Sequence, residues 1–400
     1  MIRPATMAVA LLSLSLFTAA IADEPAKDPG HEQRKPKVFA IIFNMGYGGV
    51  NLPKDKEGFE KLVVACKEAN YNVILGQYED WRDEICRKHG MLMFVDLLTA
   101  EHHVYRGLPT EVPKAKALCE KLRSNEVVYA YHLWSDRMPV GGRNRDIANV
   151  HEWDPTHATY VGSYRMGGNH ALVNPDLHGY YDFHWKRGRL WTDLRGAWDV
   201  CKKKDCSFLI YMQSDPGLVG QGNYNRLAYT NSVSIAFGLK GMLYHYRGGT
   251  YAGDGQWNQL GQDLGKANGD VAPVGPELMK IGSPSEVYST PMTVDSKNRY
   301  HFDAAVPGGF QPVPEDFWAK FESGEMVVGV FKDDQKRDAL VLANHNAYAQ
   351  QNVKLKLKDA GQKLELFDRA TKSWKALTPA DGVISFDIEP GSFQLVHLAK

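Results

Sequence analysis

The sequence carries no net charge, because its 47 Lys and Arg are matched by 47 Asp and Glu. Without a field of one sign, neither a nucleic acid nor an anionic membrane surface is favoured as a partner, and a neutral partner fits better. Cysteine is scarce as well. Cys66, Cys86, Cys119, Cys201 and Cys206 are too few and too scattered for a disulfide framework, and their odd number leaves at least one thiol unpaired. A local bridge is feasible between Cys201 and Cys206, which bracket a helix-to-strand turn. No Cys/His spacing matches a zinc site, so neither a metal nor a cofactor is expected. Long apolar runs are also missing: Met7–Ala20 is shorter than the roughly 20 residues a membrane span requires.

That N-terminal run has the form of an export signal. A positive start at Arg3 precedes it, and Ala20-Ile21-Ala22 supplies the small-x-small pattern cleaved before Asp23. Residues 1–22 are therefore expected to be removed on export to the periplasm or the extracellular space, with 23–36 as a linker. The ~380 residues that remain exceed what one core usually covers, so two folded domains are expected.

Short β-rich apolar runs alternating with helical periodicity predict eight strands. They are Val38–Phe43, Asn72–Leu75, Met91–Leu97, Val127–Leu133, Ala158–Ser163, Gly179–Trp185, Ser207–Gln213 and Gly241–Tyr246. Amphipathic stretches such as Glu57–Ala69, Trp81–Lys88, Pro113–Arg123, Thr192–Lys203 and Asn223–Phe237 separate them, whereas Arg143–Glu152 and His170–His178 make poor helices. This rhythm predicts an α/β fold, a (β/α)8 TIM barrel over 37–290. A doubly wound sheet is the alternative, but Asn44-Met45-Gly46-Tyr47-Gly48-Gly49 lacks the helix that should follow a phosphate-binding turn. From 291 to 400, strand-like runs without helices predict a small antiparallel β-sandwich.

In a TIM barrel the residues that follow each strand share one mouth. That filter selects Asn44, Glu79, Asp96, His132, Trp134, His184, Trp185, Arg187, Gln213, His245 and Arg247 as candidate ligand contacts. Aromatic rings beside long polar side chains suit a sugar, whose CH faces are apolar and whose edges carry hydroxyls. The plainer alternatives are aromatic residues in the core, hydrogen-bonded pocket histidines and surface salt bridges. His102 and His103 are adjacent on an extended segment and point in opposite directions, which disfavours a shared ion. Glycosidic cleavage needs two carboxyl groups on opposite sides of the scissile bond. Asp136 and Asp215, after the fourth and seventh strands, are the candidate pair, with Glu79 and Glu101 in reserve. Asp136 could equally pair with Arg137 or cap a helix, and Asp215-Pro216-Gly217 is an ordinary turn sequence.

Tyr129-Ala-Tyr-His-Leu-Trp-Ser-Asp136-Arg-Met-Pro139 resembles the fourth-strand segment of beta-galactosidase-like barrel glycoside hydrolases. Ala236-Phe-Gly-Leu-Lys-Gly-Met-Leu-Tyr-His-Tyr246 is similar to their last barrel strand, and Pro390-Gly-Ser-Phe-Gln-Leu-Val396 to the end of the sandwich that often trails them. The resemblance implies an exported glycosidase with a carbohydrate substrate and no cofactor; a carbohydrate-binding barrel that has lost its acid/base pair is the alternative. The family usually carries glutamates where this chain has Asp136 and Gln213 or Asp215. Shorter side chains suit the wider gap of roughly 6.5–9.5 Å used by inverting enzymes, which leaves both stereochemical outcomes open.

Overall fold

The computed structural model describes residues 28–45, 53–97, 112–134, 140–162, 170–179, 190–212, 224–244, 250–292, 310–359 and 361–399. The expected leader at 1–22 lies outside them. No helix among the described residues is long and apolar enough to cross a membrane.

Eight parallel strands close into a barrel in sequence order: β1 (Ala40–Asn44), β2 (Val73–Gly76), β3 (Leu92–Asp96), β4 (Val128–Trp134), β5 (Ala158–Gly162), β6 (Leu177–Gly179), β7 (Ser207–Met212) and β8 (Leu239–Tyr244). β8 pairs with β1 through Ala40↔Gly241, Ile41↔Met242 and Ile42↔Leu243, so the sheet has no open edge. The helices are α1 (His31–Arg34), α2 (Lys56–Glu68), α3 (Asp80–His89), α4 (Val112–Leu122), α5 (Val140–Trp153), α6 (Leu190–Lys204), α7 (Tyr224–Ala236), α8 (Gln259–Val271) and α9 (Gly275–Lys280). Their ends follow local chemistry. Asp55 caps α2 by accepting from the Gly58 amide at 2.8 Å, which contributes about 1 kcal/mol, and Gly90 ends α3 in the left-handed region at φ 60°.

Period-two alternation divides each strand between two cores. Ile41 and Phe43 point outward into the helix layer, whereas Ala40 and Ile42 join Val73, Leu75, Phe94, Tyr160, Leu209, Tyr211 and Leu243 inside the barrel. Large rings fit there because small residues face them. A Cβ on Gly179 would lie 1.9 Å from the Leu209 carbonyl oxygen and 2.5 Å from Tyr160 Oη, so β6 must carry glycine where the tyrosine crosses the barrel.

Two expectations need correction. Residues 143–152, which look like a poor helix, lie within α5, because Arg143, Asp146, Ile147, Val150 and Trp153 are all buried at helical spacing. Two of these are charged, which hides the stripe from a hydrophobicity pattern. The sixth strand is Leu177–Gly179 and overlaps the expected Gly179–Trp185 only at its last residue. Pairing of Leu177 with Tyr160 on one side and with Ser207 on the other sets this register. The aromatic-rich run that follows has greater β propensity, but 180–189 lie outside the described residues.

After a hairpin, β9 (Tyr251–Gly253) and β10 (Gln256–Trp257), the chain forms β11 (Glu286–Ser289), β12 (Gln311–Pro312), β13 (Ala319–Ser323), β14 (Met326–Lys332), β15 (Asp338–Asn344), β16 (Gln351–Leu357), β17 (Leu364–Asp368), β18 (Ser373–Leu377), β19 (Val383–Ile388) and β20 (Phe393–Leu398). A seven-stranded sheet in the order β12-β11-β14-β15-β20-β17-β18 and a three-stranded sheet β13-β16-β19 make the β-sandwich. Val328, Leu340 and Leu342 from the first meet Val353, Leu355 and Ile384 from the second. The other face of β14 and β15 packs on α7, whose residues Leu227 to Ala236 are all buried. A Cβ on Gly329 would lie 2.2 Å from the Ala236 carbonyl oxygen, so the glycine permits this close approach.

The segment at 28–36, which falls within the stretch expected as a linker, lies against the amino-terminal face of the barrel. Asp176, immediately before β6, is its anchor. The buried carboxylate accepts from Arg34 Nε at 3.0 Å, from the Thr159 amide at 2.9 Å, and bonds His151 Nε2 at 2.7 Å. Burial alone would raise this carboxyl, but hydrogen bonds from His151 and His31 and the Arg34 charge outweigh it and hold the group well below the usual range.

Candidate active site at the carboxyl end of the barrel

The alternation that fills the barrel also sets its floor at the carboxyl end. Asn44 closes β1, Asp96 closes β3, and His132, Tyr160 and Tyr211 face inward near the ends of β4, β5 and β7. All five are almost fully buried, with 8% exposure at Asp96 and 3% at His132 as the largest values among the ionisable members.

Asp96 and His132 are register partners on β3 and β4, and Asp96 Oδ1 lies 3.5 Å from His132 Nδ1. The imidazole is stacked on Tyr160, with centroids 5.4 Å apart and planes 12° apart, and Phe94 meets it edge-on at 5.3 Å. A carboxylate on one nitrogen, a ring on one face and a second ring against its side fix the direction in which His132 presents itself. Across the barrel, Asn44 Nδ2 donates to Tyr211 Oη at 3.4 Å, and the Tyr211 ring lies 6.2 Å from His132 and 6.4 Å from Tyr160. The arrangement offers a carboxylate, an imidazole, an amide and phenols within one aromatic floor.

The structure thus brings together three of the residues expected from the sequence, Asn44, Asp96 and His132. Glu79 stands apart as the residue preceding α3; its carboxylate is engaged by Trp81 Nε1 and lies 3.3 Å from Arg82 within the same turn. Trp134 is the last residue of β4 and pairs with Gly162 on β5. Asp136, Asp215, His184, Trp185, Arg187, Gln213, His245 and Arg247, with Glu101, His102 and His103, lie outside the described residues. Tyr160 and Tyr211 are floor residues that sequence reasoning missed. Their signal was the alternation itself, since Ala158 and Tyr160 share one face of β5, and Leu209 and Tyr211 one face of β7.

One group of potential metal ligands occurs among the described residues, His31, Glu32 and Asp205, on the opposite face of the barrel. Lys35 Nζ lies 2.8 Å from Glu32 Oε1 and 3.2 Å from Asp205 Oδ2, so an ammonium already bridges the two carboxylates. The trio is an ion-pair cluster that ties down the N-terminal segment. The five cysteines are buried and free, and burial raises the Cys66, Cys86, Cys119 and Cys201 thiols, which makes them poor nucleophiles.

Neither a protein-family model nor a curated protein matches the chain. Solved structures do align with it, among them glycoside hydrolases. An α-amylase from Anoxybacillus is 10% identical, with 92% of this chain and 98% of that chain covered at a TM-score of 0.46. A GH51 arabinofuranosidase from Xanthomonas axonopodis pv. citri is 10% identical over 91% of this chain and 97% of its own, with a TM-score of 0.49. A maltogenic α-amylase from Thermotoga neapolitana is 9% identical over 90% and 98%, with a TM-score of 0.48. No residue role follows from likeness at this level.

Proposed function

We propose that the chain is an exported glycoside hydrolase whose substrate enters the carboxyl-end mouth of the barrel, where Asp136 and Asp215 act as the acid/base pair. The observation that carries this reading is the floor formed by Asn44, Asp96, His132, Tyr160 and Tyr211. A neutral polyhydroxylated ring needs donors and acceptors in alternation with apolar surface, and this floor offers both within a few ångströms of the Asp96–His132 contact.

In this reading Asp96 orients His132, which contacts substrate hydroxyls. Asp136 follows the end of β4, the strand that carries His132, and Asp215 follows the end of β7, the strand that carries Tyr211. Strands four and seven are separated by two others in an eight-stranded ring, which suits two carboxyl groups acting from different sides of one bond. One carboxyl, protonated, would give its proton to the leaving oxygen; the other, ionised, would take a proton from water or attack the anomeric carbon.

The test is incubation of the purified chain with a broad panel of oligo- and polysaccharides, followed by measurement of new reducing ends. Cleavage of any member supports the proposal. Binding without cleavage across the panel overturns it in favour of a non-catalytic carbohydrate-binding barrel.

A further inference from the structure

Three helices of the barrel end in the same way. α2, α3 and α6 each turn off through a residue in the left-handed region, Asn70 at φ 60°, Gly90 at φ 60° and Asp205 at φ 52°. The next residue donates its amide back to a carbonyl five positions earlier: Tyr71 to Cys66 at 2.9 Å, Met91 to Cys86 at 2.8 Å and Cys206 to Cys201 at 3.1 Å. This is the Schellman arrangement, in which the residues joined by the closing bond bring their side chains together. In all three the earlier residue is cysteine. At α6 alone of the three, its partner is cysteine too.

Cys201 and Cys206 are therefore joined twice, backbone to backbone and thiol to thiol, since the two side chains share a hydrogen bond. Backbones held by a hydrogen bond of this length place their Cα atoms within the roughly 4.4–6.8 Å that a disulfide spans. Cys66 and Cys86 each face, across their own caps, a residue that cannot form one. The turn bracketed by Cys201 and Cys206 is also a point of attachment. The Asp205 carbonyl accepts from His31 Nε2 at 2.8 Å and its carboxylate from Lys35 Nζ at 3.2 Å, so the N-terminal segment is tied to it.

We propose that Cys201 and Cys206 form a disulfide when the chain folds in the presence of a disulfide donor such as glutathione disulfide, locking the end of α6 and the Asp205 turn. One thiolate attacks the donor to give a mixed disulfide and expels one donor thiol; the second thiolate attacks the protein sulfur of that intermediate, forming the S–S bond and expelling the other. The two protein thiols lose two electrons and two protons, and the donor disulfide becomes two thiols. The step belongs to folding, before α6 packs, because in the folded reduced protein both thiols are buried and burial raises the Cys201 thiol. Closing the loop restricts the unfolded chain and so favours the folded one. Neither thiol enters the proposed cleavage, so the outcome is independent of it.

The chain is unfolded in urea with reductant, then refolded in parallel with reduced glutathione alone and with a mixture of reduced and oxidised glutathione. Thiols are counted in denaturant, and the blocked protein is digested with trypsin without reduction. Trypsin cuts at Lys202, Lys203 and Lys204, between the two cysteines, so the peptides Gly196–Lys202 and Asp205–Arg226 stay together only through the bridge. In the oxidising mixture two of the five thiols should disappear, with those two peptides linked and released by reductant. Reduction should also lower the urea midpoint, and Cys206→Ser should lose no pair of thiols under the same conditions. The proposal fails if all five thiols persist, if the linked pair includes Cys66, Cys86 or Cys119, if a cysteine is merely capped by glutathione, or if reduction leaves the midpoint unchanged.

Discussion

Asp96 and His132 meet across the β3–β4 ladder, carboxylate oxygen to imidazole nitrogen at 3.5 Å, with both side chains shielded from solvent. The contact fixes which way the imidazole faces, and Tyr160 and Phe94 restrict its plane. Asp96→Asn preserves size but removes the charge that orients the ring. It should lower kcat by about tenfold to a hundredfold with KM nearly unchanged. Steady-state kinetics against the unfolding midpoint checks this, and a loss confined to KM would show that Asp96 only contributes binding.

Asp176 holds the N-terminal segment to the barrel through Arg34 and His31, and it also bonds His151 of α5, which itself lies 3.5 Å from Asp28 of that segment. Asp176→Asn leaves the buried Arg34 guanidinium without this anionic partner and should destabilise the fold by about 3–5 kcal/mol in urea unfolding. The pH dependence has a definite sign. The native carboxyl is held below its unfolded value, so its contribution is complete above about pH 4 and drains away as the pH falls further. The Asn variant should lack that acid-limb loss.

His178 titrates in the same direction from a different cause. The ring is fully buried, and burial, with smaller contributions from the Arg143 and His170 charges, lowers it to about 4. The native state binds fewer protons than the unfolded chain, so stability is intact above about pH 6.5 and is lost as the pH falls towards 4, by up to about 3 kcal/mol. His178→Phe should flatten the difference between urea midpoints at pH 7 and pH 4.5. An unchanged difference would place the acid sensitivity elsewhere.

Gly179→Ala tests the packing of the barrel interior. The added carbon would meet the Leu209 carbonyl oxygen at 1.9 Å, and backbone cannot yield as a flexible side chain can. A loss of about 3 kcal/mol or more is expected in chemical unfolding. A neutral substitution would show that β6 and β7 can separate at that level.

Much of this architecture was legible because strands and helices announce themselves by period. Ile41 and Phe43 alternate with Ala40 and Ile42, and the apolar residues of α2, among them Phe59, Leu62, Val63 and Cys66, fall on one stripe. α5 was obscured because Arg143 and Asp146 occupy its buried face, and the short β6 because an aromatic run beside it carried the stronger β signal. β12 and β13 left little trace, the first being two residues long and the second largely polar at its exposed positions. At the candidate site, Asn44, Asp96 and His132 stood out as polar residues in or at the ends of apolar strands. Tyr160 and Tyr211 did not, since a tyrosine inside a strand looks like core until the barrel closes and turns it towards the axis.

The most direct measurement is the rate of glycosidic cleavage by the parent, Asp136→Asn and Asp215→Asn at equal concentrations of folded protein. Both variants should lose at least about a thousandfold in kcat while keeping the parent's unfolding midpoint. Parent-like cleavage by either variant would contradict the assignment of the pair.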